Sequence, residues 1–151
     1  MLHQQLSENL KSAMKTGQEF EAGVFRMLLA ALHNKEIEKK GKGTETELSD
    51  EEVIEVLSKE AKKRKEAAEI YKKGGRDDLA EKEAKELEII KKYLPEEMPV
   101  EEIEKIVKIA IEKTGIKEAS GFGKVMAEVM KELKGKADAS TISEIIKKEL
   151  S

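Results

Sequence analysis

The sequence has no cysteine and no tryptophan, two prolines, and only two tyrosines and three phenylalanines in 151 residues. Without cysteine there is no disulfide framework, no thiolate metal site and no cysteine nucleophile. So few aromatics leave little with which to stack nucleobases. The longest uninterrupted apolar run, Met27 to Leu32, is far too short to cross a bilayer. Charge of one sign is also missing: 29 Lys and Arg face 32 Asp and Glu, for a net charge of −3. A basic chain of the kind that signals nucleic-acid binding outright is therefore excluded. Residues 1–8, MLHQQLSE, lack the basic start and apolar core of a signal peptide. These absences together predict a soluble cytoplasmic protein with no membrane partner.

What the chain does have is helical periodicity. Apolar residues recur at three and four, and strand-like alternation is almost absent. Leu2, Leu6, Leu10 and Met14 predict a first helix ending near Thr16. A second, from about Glu19 to Lys40, is apolar on nearly every face at its centre, Val24 to Leu32. Arg26 is the sole charge there, and a structural ion pair or an interface is expected for it. Gly41 and Gly43 break this helix. Ser49 and Glu52 read as a capping box opening a third helix, which carries Val53, Leu57 and Ala61 until Gly74 and Gly75. A fourth helix starts near Asp77 and must end before Pro95.

Residues 95–99 are the best boundary, giving an N-terminal helical domain over 1–94 and a C-terminal one over 100–151. Pro99 suits the first turn of a fifth helix, and Gly115 a left-handed cap at its end. A sixth helix, about Phe122 to Lys134, is expected to stop at Gly135, and Asp138 to cap a seventh. The expected fold is all-α: an N-terminal long-helix bundle followed by a compact C-terminal three-helix domain.

No catalytic residue, metal site or cofactor is expected. His3 and His33 are far apart in sequence and in no metal-ligand spacing. Paired glutamates such as Glu101 and Glu102 are explained by the positive end of a helix. Gly121-Phe-Gly-Lys124 superficially suggests a phosphate loop, but it lacks the required spacing and the preceding strand. A tight turn with Phe122 as core plug accounts for it, leaving Gly123 structural and Lys124 able to meet one phosphate.

The basic clusters are more informative. Lys59 to Arg76 holds eight positive charges against Glu60, Glu66 and Glu69, directly after an acidic stretch from Glu45 to Glu55. Lys131, Lys134 and Lys136 form a second group. Such local asymmetry governs encounter with a polyanion, although lysine runs also serve as solvated helix faces and complement helix C-termini.

Several stretches match a known family: Phe25-Arg-Met-Leu-Leu-Ala-Ala-Leu-His-Asn34, Glu60-Ala-Lys-Lys-Arg-Lys-Glu66, Tyr93-Leu-Pro95, Gly123-Lys-Val-Met126 and Leu133-Lys-Gly-Lys-Ala-Asp138. On these the chain resembles, from end to end, the YqeY-like family. That family is similar to the C-terminal tail domain of the B subunit of glutamine-dependent tRNA amidotransferases. At Met98-Pro99 the chain departs from the serine-like cap more usual in the family, which affects the start of the fifth helix.

The resemblance implies an all-helical fold and a role in holding tRNA. It carries over no catalytic residue, because the matching positions are not catalytic. The leading expectation is a non-catalytic module associated with tRNA or another structured RNA. Lys62, Lys63, Arg64, Lys65, Lys124, Lys134 and Lys136 are its candidate contacts, with Arg26, Pro95, Gly115, Gly123 and Gly135 structural or interfacial. Two alternatives stand beside it. One is a protein-interaction adaptor with an apolar patch near Pro95 to Pro99. The other is a carbon–nitrogen ligase with glutamine as amido donor, which rests on family similarity alone.

Overall fold

The computed structural model describes residues 1–134 and 136–151, so the expectation placed on Gly135 lies outside the described residues. Among the described residues there are seven α-helices, one 3-10 turn and no strand. They fall into two compact units, Met1–Leu94 and Pro95–Ser151, each with its own core.

The first unit contains α1 (Leu2–Lys15), α2 (Glu19–Gly41), α3 (Asp50–Lys73) and α4 (Asp77–Lys91). Its core is aliphatic. Leu6, Leu28, Leu32, Val53, Leu57 and Ile90 are completely buried, each contributing about 1.5–3 kcal/mol by leaving water. In α1 the buried stripe continues through Ala13, while Met14 points outward at 56% exposure. The capping box at the start of α3 is present. Ser49 accepts from the Glu52 N–H, and the Glu52 carboxylate accepts from the Ser49 N–H at 2.9 Å.

Polar ties fix the helix ends. The Leu2 N–H donates to Asp50 at 2.9 Å, and Lys39 donates to both Glu52 and the Glu47 carbonyl at 2.9 Å. Tyr93 meets Phe25 edge-on at 5.9 Å and accepts from the Asn9 amide at 2.5 Å, which seals the C-terminal end of the unit against α1 and α2.

The second unit contains α5 (Val100–Thr114), a 3-10 turn (Ala119–Gly121), α6 (Phe122–Leu133) and α7 (Ala139–Leu150). Each helix turns one apolar stripe inward: Ile103, Val107 and Ala110 from α5, Val125, Val129 and Leu133 from α6, Ile142, Ile145 and Ile146 from α7. Pro99 is the N-cap of α5. Gly115 ends that helix at φ 68°, the left-handed conformation that a Cβ disfavours. Gly121 has a different reason to be glycine. A Cβ there would sit 2.1 Å from Ile116 Cγ2, so the turn closes on Ile116 only because no side chain intervenes. Gly123 has open space at its Cβ position and no positive φ, so neither sterics nor backbone conformation requires a glycine there.

Candidate nucleic-acid interface

The four consecutive cations of α3 do not form a patch. Successive helix residues are turned about 100° from one another, so Lys62, Lys63, Arg64 and Lys65 point round the whole circumference. Val53, Leu57, Ala61 and Arg64 make one buried stripe, and Arg64 is therefore corrected as an interface candidate: it is 8% exposed. Its Nη1 donates to Glu60 of the same helix at 2.7 Å, and its Nη2 contacts the Met27 sulfur on α2. Its Nε faces Glu86 of α4 at 3.5 Å without closing a hydrogen bond. A charge withdrawn among two carboxylates is a clamp on three helices and has nothing left to offer a phosphate.

The neighbouring cations are partly engaged as well. Lys59 pairs with Glu55 at 3.0 Å, Lys63 with Glu60 at 2.9 Å and Arg76 with Asp78 at 3.3 Å. Lys62 also has a partner. Lys65, Lys72 and Lys73 are exposed and make no ion pair among the described residues.

Of the two expectations for Arg26, the structure shows no ion pair among the described residues and leaves the interface standing, with the residue exposed. The side of α2 on which it lies, with Gly23, Ala30 and Asn34, faces solvent. Glycine and alanine make that side read as apolar in the sequence, although nothing packs on it within this unit.

The second unit arranges its lysines differently. Lys124 and Lys131 are seven residues apart, which places them along one side of α6, away from the buried Val125, Val129 and Leu133, and Lys134 is the C-cap that follows the helix. Lys124, Lys134 and Lys136 are exposed and make no ion pair among the described residues. Lys131 does: Glu128 holds it at 3.0 Å, and also holds Lys113 of α5 at 2.7 Å. Hydrogen bonds from these two ammonium groups keep the Glu128 carboxyl below the usual carboxylate range, and Glu128 in turn raises Lys113. Lys124 lies in the first turn of α6 beside a shallow depression shared with Lys117 and Ser120. Lys147 of α7 lies over the Phe122 ring at 5.7 Å.

One convergence of titratable groups is invisible in the sequence spacing. His3 and His33 both reach Glu36, each at 3.4 Å, one to either carboxylate oxygen. The contact ties α1 to α2, and among the described residues no group of three such side chains is placed to hold a metal ion. Nor is any helix among them long and apolar enough to cross a membrane. At Pro95 to Pro99, where an adaptor would place an apolar patch, the flanking apolar residues are partly buried on the two cores. Leu94 packs on the first core and Met98 on the second, leaving Val100 as the exposed large aliphatic of that segment.

Seven helices in two units, each with its own core, make this a helical module. The chain belongs to the YqeY-like family: the family model described as "Yqey-like protein" matches residues 3–150. Its relatives include "Altered inheritance of mitochondria protein 41, mitochondrial" of Clavispora lusitaniae, 43% identical over 67% of this chain and 55% of the relative. The protein of the same name from Saccharomyces cerevisiae is 33% identical over 88% of this chain and 68% of its own length. An uncharacterized Schizosaccharomyces pombe protein is 35% identical over 60% of this chain and 70% of its own. The matches thus span between about half and seven tenths of these relatives.

Relatives named as mitochondrial proteins overturn the cytoplasmic expectation. That expectation rested on the missing signal-peptide pattern and the missing membrane span, and neither feature separates one aqueous compartment from another.

Proposed function

We propose that this chain is a non-catalytic helical module of two domains, 1–94 and 100–151 joined by a hinge at 95–99, that associates with tRNA or a similarly structured RNA. The observation that carries the reading is the outward, unpaired set Lys124, Lys134 and Lys136 in the second unit. Lys65 adds a contact from the first. The resemblance to the tRNA-holding tail domain of the amidotransferase B subunit supports it. With so few aromatics, recognition rests on phosphate contacts and shape.

Such contacts set the salt response. Each releases counterions worth about 0.7–0.9 log units of affinity per log unit of salt, so four contacts give a slope of about 3. Between 50 and 200 mM salt the affinity should then fall roughly 50- to 150-fold. The test is fluorescence anisotropy of end-labelled, unfractionated tRNA titrated with the protein at both salt concentrations. The expected result is binding at low salt that weakens by this factor, and that is lost in the variant with Lys65, Lys124, Lys134 and Lys136 all changed to Gln. No binding at low salt, binding indifferent to salt, or binding unchanged in the variant overturns the reading.

A further inference from the structure

Glu128 is the carboxylate on the flank of the lysine-lined side of α6, and it engages two cations at once. Its side chain is 19% exposed, while those of Lys113 and Lys131 are 69% and 72% exposed. The carboxylate is therefore the fixed member of the trio, and the two ammonium groups are the mobile ones. Exposed pairs of this kind are weak and exchange readily. A phosphate arriving at Lys124 or Lys134 thus meets neighbouring cations already committed to a carboxylate.

We infer that Glu128 acts as an internal competitor of phosphate, holding Lys113 and Lys131 out of the RNA contact set and so fixing the affinity and salt response of this face. The inference rests on the RNA reading above and adds to it a residue that the sequence alone does not single out. A single carboxylate serving two lysines leaves the trio with one net positive charge. Removing that carboxylate, with no change of side-chain shape, exposes two.

The experiment uses the full chain and the same labelled tRNA. Glu128→Gln should bind roughly tenfold or more tighter at 50 mM salt, with a salt slope steeper by about 1.4–1.8 as two contacts are added, so that most of the gain is gone at 200 mM. Lys113→Gln separates release of a held lysine from a general gain of positive charge. It should leave the slope unchanged when Glu128 is present, and lower it by about 0.7–0.9 in the Glu128→Gln background. Thermal melts by circular dichroism establish that each variant is folded at the assay temperature, and Lys131→Gln, which leaves the Lys113–Glu128 tie between α5 and α6 in place, repeats the test.

If wild type fails to bind, the functional reading falls and takes this inference with it. If wild type binds and Glu128→Gln matches it in affinity and slope, the inference alone is overturned. It is overturned equally if the lysine changes cost the same with and without Glu128.

Discussion

Arg64 offers the sharpest test of how the first unit is held together. Its side chain is 10% exposed, and those of Glu60 and Glu86 are 12% and 14% exposed, so three charges share one nearly dry site. Glu60 is shared with the exposed Lys63, but Glu86 has Arg64 as its one ion-pair partner among the described residues. Changing Arg64 to Met, which keeps much of the stem's volume, strands Glu86 and leaves Glu60 to Lys63 alone, and should cost about 3–5 kcal/mol. For a unit of this size that lowers the melting temperature by roughly 12–40 °C.

The assay can be confined to this unit. Both tyrosines, Tyr71 and Tyr93, belong to it and the chain has no tryptophan, so tyrosine fluorescence in a urea titration follows the first unit alone. The triple change Glu60→Gln, Arg64→Met, Glu86→Gln should recover a large part of the loss, because the cost of breaking a buried ion pair comes mostly from the partners left behind. Arg64→Lys should fall between, since an ammonium cannot span both carboxylates as a guanidinium does. An Arg64→Met protein as stable as wild type would refute the reasoning, and so would a triple variant no better than the single one.

Gly121→Ala should destabilise the second unit by about 1–3 kcal/mol, because its Cβ would overlap Ile116. Gly123→Ala, close by in sequence but with open space around it, should change stability little. Urea titrations followed by circular dichroism compare the two, and equal effects would show that the turn does not depend on that close approach. The first unit should also lose stability in acid. Lys39 and the Ser49 N–H hold the Glu52 carboxyl below its ordinary value, and the Leu2 N–H and the chain's amino terminus do the same for Asp50. Carboxylates lowered in this way stabilise the fold above their unfolded pKa, and the contribution vanishes as pH falls through the folded one. The urea midpoint from tyrosine fluorescence should therefore drop below about pH 4.5 in wild type and drop less in Glu52→Gln, whose midpoint is already lower at neutral pH. A midpoint equally acid-sensitive in both proteins would remove Glu52 from the account.

The helices are legible in the sequence because their signals are local. Ser49 and Glu52 cap α3 by chemistry contained in four residues, and Gly115 ends α5 by a conformation that few other residues adopt. Arg64 misleads because adjacency in sequence is not adjacency on a helix surface. The corrective signal is present all the same: Val53, Leu57, Ala61 and Arg64 recur at four, four and three, so the stripe that buries the first three buries the fourth. The apolar look of the residues around Arg26 misleads in the opposite sense. Gly23 and Ala30 count as apolar, yet small residues on a helix are equally at home in solvent, and hydropathy does not tell the two situations apart. The meeting of His3, His33 and Glu36, and of Lys113 with Glu128, depends on pairs of helices. The i,i+3 spacing of His33 and Glu36 is readable within α2, but the arrival of His3 and the pairing of Lys113 with Glu128 are encoded by no spacing within one helix.

The distribution of ion pairs carries the final step. In α3, three of the cations are matched by carboxylates one turn away, Glu55 for Lys59 and Glu60 for Lys63 and Arg64. The matched part of this long helix is a scaffold element, and those cations add little to the field outside. In the second unit the pair between Lys113 and Glu128 joins two helices, while Lys124, Lys134 and Lys136 stand beyond any such match among the described residues. Positive potential that a polyanion can use comes from charge left over after the fold has satisfied itself. By that criterion Lys124, Lys134 and Lys136 count in full, whereas only part of the more conspicuous basic run between Lys59 and Arg76, among it Lys65, Lys72 and Lys73, does.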